Sequence, residues 1–141
     1  KFFRLDSEQR RLLLQAFSEL SRARWALSRK PIRELLHGLV ISAAEEASHV
    51  VKPEDAGLVS HIGWAVRAAA AYAPWNSSCL VQVLAAQKMM QAQGVGGVIY
   101  LGATRGEEEQ FAAHAWLKHG EMFVTGEAGH EEYQVLTTFS W

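Results

Sequence analysis

At 141 residues, with 49% hydrophobic and 21% charged side chains, the chain has the size of one domain that can bury a sizeable core. A net charge of −1 supplies no global field to draw in nucleic acid or an acidic substrate. A single cysteine excludes an intramolecular disulfide, and no stretch approaches the roughly 18 apolar residues of a membrane span.

No signal-peptide core opens the chain, which starts KFFRLD rather than with methionine, as expected if an initiator or a short leader has been trimmed. These features lead us to expect a cytoplasmic protein with neither a nucleic-acid partner nor a membrane span. The charges are unevenly distributed. Up to Arg33 the basic residues outnumber the acids nine to three, while beyond Gly102 the balance turns acidic through Glu107, Glu108, Glu109, Glu121, Glu127, Glu131 and Glu132. Two explanations stay open: an ordinary solvated helix face, or a docking surface for an acidic partner.

In chain order, Asp6 with Gln9 three residues on forms a capping-box signature. Leu13, Phe17, Leu20 and Leu27 recur at helical spacing after it, and Pro31 ends or kinks that helix. IRELLHGLV gives a second helical piece closed near Gly38. Pro53, Glu54 and Asp55 read as a first helical turn, followed by the apolar stripe Val59, Ile62, Val66, Ala69 and Ala70 up to Pro74. A third strong helix runs from the region of Cys79 to Gly94.

After Gly97 the pattern changes. VIYLGA (98–103), FAAHAWLK (111–118), EMFVT (121–125) and YQVLTTF (133–139) are β-rich runs separated by turn signals, with a tight hairpin at 118–121. The expected fold is α+β: N-terminal helices, then an antiparallel meander. We read residues 1–141 as a single domain, in which 1–50 could be a helical appendage on a core from 53 to 141.

The lone thiol sits at an informative place. Asn76, Ser77 and Ser78 are all good N-cap types, and whichever caps the helix leaves Cys79 in its first turn. Unpaired N–H groups there favour an anion, so they favour the thiolate and can face a developing oxyanion. Val83, Ala86 and Met90 share the Cys79 face and would anchor the helix below it. The competing explanation is a buried small hydrophobe.

A catalytic thiol needs a base, and His37, His49, His61, His114, His119 and His130 are the choices. His114 stands inside an apolar strand, flanked by Ala112, Ala113 and Ala115, with Trp116 on the same face to exclude water. A hydrogen-bonded core histidine is the alternative. A zinc site fits poorly: His114 and His119 are an odd number apart on an extended segment, and no CxxC or HExxH spacing occurs.

In order and spacing, PW-x3-CLVQ-x-LAAQ-x-M, GGVIYLGA, F-x-AHAWL-x-x-G and VTG-x-x-x-H resemble the lasso-peptide leader peptidases, small bacterial transglutaminase-like cysteine proteases. The resemblance covers roughly residues 53–141. The Leu/Arg-rich start is also similar to stand-alone members, though less specifically. It implies a transglutaminase-like or papain-like core and a protease that removes the leader from a ribosomally made (RiPP) precursor peptide. It further implies two partners, a small leader-recognition protein and a macrolactam synthetase, and no metal or organic cofactor.

Carried over residue by residue, Cys79 matches the nucleophile and His114 the base. The third member departs from the family. Many relatives carry an aspartate on the strand after the hairpin, about twelve residues past the histidine, and an ungapped count from His114 lands on Gly126, which has no side chain. Glu127 serves if the loop shifts register. Thr125 is the other candidate, because a two-residue turn at His119-Gly120 would pair 114 with 125. Asn76 is a further candidate for the oxyanion site. Two other functions fit the same pattern: a transglutaminase or amidase using the same pair, and a non-catalytic binding module.

Overall fold

A computed structural model of the protein describes residues 6–42, 51–73, 78–105 and 111–141. The expected capping box starts α1 (Ser7–Arg29): Gln9 N–H donates to Asp6 Oδ1 at 2.7 Å, and Asp6 N–H donates to Gln9 Oε1 at 3.2 Å. Leu12, Leu13, Ala16, Leu20 and Ala23 are buried along α1, while Phe17 and Leu27 pack at the margin of the core. The helix stops before Pro31, and α2 (Ile32–Leu35) adds a single turn.

A 3₁₀ turn at Pro53–Asp55 leads into α3 (Ala56–Tyr72), and α4 (Cys79–Ala92) follows. Helix α1 lies against both α3 and α4. The three helices bury Leu20, Ile62, Val83 and Met90 against Ile99, Ala115, Leu117 and Phe139 of the sheet. The N-terminal helix thus shares one core with α3, α4 and the strands that follow them.

The sheet comprises β1 (Val40–Ser42), β2 (Val98–Arg105), β3 (Phe111–His119), β4 (Met122–Thr125) and β5 (Gln134–Ser140). The protein is α+β, helices followed by a five-stranded antiparallel sheet, in the order β1-β5-β2-β3-β4. That order corrects the meander expected from sequence, because β5 lies beside β2 and not beside β4. The outer edge of β4 faces α3, whose Arg67 guanidinium donates to the Val124 carbonyl at 2.5 Å. The open edge of β2 is where β5 pairs, and from there Phe139 reaches the core. Strand β1, too short to leave a periodic signal, closes the far edge.

The hairpin register also differs from expectation. Gly120 and Glu121 form the turn, with Gly120 at φ +60, so His119 pairs with Met122 and Lys118 with Phe123. An irregularity between Leu117 and Lys118 then sets Leu117 opposite Thr125. His114 is therefore not cross-strand to Thr125. Both corrections bear on function: the segment 126–133 must travel from β4 back across the sheet to β5, and it crosses beside His114.

Candidate active site

Ser78 is the N-cap of α4, its hydroxyl accepting from Val81 N–H at 3.3 Å, which makes Cys79 the first helical residue. The opening N–H groups of a helix have no intrahelical acceptor, so the sulfur sits at the positive end of the dipole. Behind it Val83, Ala86 and Met90 are fully buried, and they fix the helix tip. Ala115 N–H of β3 donates to Cys79 Sγ at 3.4 Å. That contact ties the helix tip to the strand that carries the histidine.

Alternation along β3 sends Ala115 and Leu117 into the helical core and His114 and Trp116 to the opposite face. There His114 lies in an aromatic frame. Its ring centroid is 5.6 Å from that of Trp116 and 5.1 Å from that of Tyr133. Trp116 in turn stacks on Tyr100 at 5.6 Å and is only 3% exposed. Burial, and secondarily the Glu121 carboxylate, raise the Tyr100 phenol above its ordinary 10.0. The imidazole Nε2 is 2.8 Å from the Gly126 carbonyl oxygen. A carbonyl only accepts, so Nε2 carries the proton and Nδ1 is the unprotonated nitrogen of the neutral ring.

Cys79 and His114 line one open cavity of about 690 Å³. The crossing segment supplies Gly126, Glu127, His130 and Glu131 to its wall, while Arg67 and Gln82 enter from α3 and α4. His130 Nδ1 donates to the Glu127 carbonyl at 2.8 Å and lies 3.2 Å from a Glu131 carboxylate oxygen. Its ring packs on Phe123 at 4.5 Å and on Trp116 at 5.7 Å.

The candidates from sequence are distributed as follows. Cys79, His114 and Glu127 meet in the cavity, and Trp116 lies beside the His114 ring. Glu127 enters the hydrogen bonding there through its backbone carbonyl, on His130. Thr125 is 2% exposed, and its hydroxyl has no hydrogen-bond partner among the described residues. Asn76 lies outside the described residues. His119 is buried with Nδ1 2.7 Å from the Gly96 carbonyl, away from the cavity.

Sequence reasoning gave no role to Arg67, Gln82, His130 or Glu131. Arg67 did leave a signal: it is the one Lys, Arg, Asp or Glu in α3. Gln82 and His130 stand within CLVQ and VTG-x-x-x-H, where a residue type alone does not reveal that both face one cavity.

The chain belongs to the transglutaminase-like superfamily, whose domain matches residues 11–138. The match begins inside α1 and ends in β5, so it takes in the helical core as well as the sheet. Neither a curated protein nor a solved structure gives a match. Domains of this superfamily are typically cysteine peptidases or transglutaminases, enzymes that transfer an acyl group through a thiol.

Proposed function

We propose that the protein is a cysteine peptidase that cleaves the leader from a lasso-peptide precursor and exposes the core N-terminus for macrolactam formation. The observation that carries the chemistry is the meeting of Cys79, at a helix tip, with His114 in one cavity. Superfamily membership supports thiol acyl transfer, and the motifs around these two residues support the choice of substrate.

In the proposed reaction Nδ1 of His114 takes the Cys79 proton, and the sulfur attacks the carbonyl carbon at the leader–core junction. The S–C bond forms as the C=O electron pair moves onto oxygen, which the first N–H groups of α4 face. Collapse of this intermediate breaks the C–N bond, and the proton on Nδ1 passes to the leaving amine, which becomes the core N-terminus. Water then loses a proton to Nδ1 and attacks the thioester, releasing the leader carboxylate and restoring the thiol. Trp116 and Tyr133 flank the ring and keep competing water from it.

A separate leader-recognition protein would deliver the precursor, and a macrolactam synthetase would consume the product; all three would work in the cytoplasm. The experiment is mass spectrometry of a precursor incubated with the recognition protein and with wild-type, Cys79→Ala or His114→Ala enzyme, in the presence of a competing amine. Wild type alone should give free leader and core. An amine adduct of the leader would make the enzyme a transglutaminase, and no product from any of them would leave a binding module.

A further inference from the structure

The attack of the sulfur described above needs Nδ1 of His114 unprotonated and aimed at the thiol, so some acceptor must hold the proton on Nε2. The structure offers one at 2.8 Å, and it is the main chain of Gly126. We propose that the backbone carbonyl of Gly126, rather than a side-chain carboxylate, fixes the His114 tautomer, which makes Gly126 a positioning residue of the site. The inference rests on the thiol–imidazole reading of the cavity but not on the identity of the substrate.

The geometry explains why glycine stands here. Gly126 has φ +79, a conformation that L side chains rarely adopt. A Cβ added to it would lie 2.5 Å from the Ala115 carbonyl oxygen, 2.7 Å from Trp116 Cβ and 2.9 Å from Trp116 Cα. Two of these three atoms belong to the β3 backbone, which the core anchors through Ala115 and Leu117, so the strand cannot give way cheaply. Any side chain at 126 must push its own backbone off the strand and draw the carbonyl away from Nε2.

An aspartate cannot be seated at this position without that shift. The chain therefore has a carbonyl dipole where a carboxylate would stand. A neutral acceptor fixes the tautomer, though it lends the imidazolium less stabilisation than a negative charge would. Trp116 and Tyr133, at 5.6 and 5.1 Å from the ring, oppose a flip that would exchange the two nitrogens.

The test is nitrogen NMR of ¹⁵N-histidine-labelled protein, with His114 assigned by its loss in His114→Gln. At a pH where the ring is neutral, His114 should give a protonated-type Nε2 and an unprotonated-type Nδ1. Gly126→Ala should move it toward a tautomer mixture and slow alkylation of Cys79 by iodoacetamide severalfold, by less than His114→Gln does. Should Gly126→Ala fail to fold, the wild-type spectrum alone decides. A proton on Nδ1 in the wild type would overturn the proposal, as would a signal that follows Glu127→Gln but not Gly126→Ala. Neither readout uses a precursor peptide, so failure to cleave one would leave this result standing.

Discussion

The two faces of the sheet do different work. Toward the helices lie aliphatic side chains at or near zero exposure, such as Ile99 and Leu117, packed against Leu20, Val83 and Met90. On the other face lie Tyr100, Trp116, His114, Tyr133 and His130, rings in contact with rings. The first face supplies most of the burial that holds the fold, and it fixes where the backbones of α4 and β3 meet. The second fixes how one imidazole is turned. Position comes from the core, and orientation comes from the aromatic frame and the Gly126 carbonyl.

Substitutions should separate the two contributions. Cys79→Ala should leave no thiol acyl transfer while the fold persists by circular dichroism, and His114→Gln should cost about 10²–10⁴ in turnover. On the aliphatic face, Leu20→Ala or Ile62→Ala should lower stability by about 2–5 kcal/mol in urea unfolding. Below the midpoint, the alkylation rate of Cys79 should stay within about twofold in these variants. If alkylation fell in step with stability, the division between position and orientation would fail.

Smaller effects sharpen the contrast. Tyr133→Ala removes a half-buried ring from His114, and should slow alkylation roughly tenfold with a loss of only about 1 kcal/mol of stability. Arg22, Arg24 and Arg29, replaced together by Glu, should weaken binding of the leader-recognition protein we propose as partner, in titration calorimetry, without moving the melting temperature by more than a few degrees. Arg24 and Trp25 line a surface hollow on α1, and Trp25 is 60% exposed beneath the Arg29 guanidinium.

The smallest effect concerns Tyr100. Its folded phenol holds its proton above the ordinary 10.0, so the unfolded chain loses that proton first as pH rises. Whatever stability this adds is complete below pH 10 and is lost as pH climbs through the raised value. Tyrosinate absorbance should show a phase above the ordinary phenol range, and Tyr100→Phe should abolish it.

Much of this was legible in the residues. Asp6 with Gln9, the run of N-cap types before Cys79, and the alternation that sets His114 and Trp116 on one face are local signals, and each produced the expected local structure. What stayed hidden is non-local or belongs to the main chain. The site of β5 beside β2 depends on α3 covering β4, which no period in β5 encodes. The hairpin register turned on Gly120 taking the first turn position and on one irregularity after Leu117. The acceptor for His114 is a carbonyl, a group every residue possesses, and a search by side-chain type passes over it.

The central claim is that the sulfur at the tip of α4 and the ring on β3 act as one chemical unit. The most direct test is the rate of Cys79 alkylation by iodoacetamide at neutral pH in wild type and in His114→Gln, both verified as folded. The account predicts that wild type reacts at least about tenfold faster. Equal rates in the two proteins would contradict it.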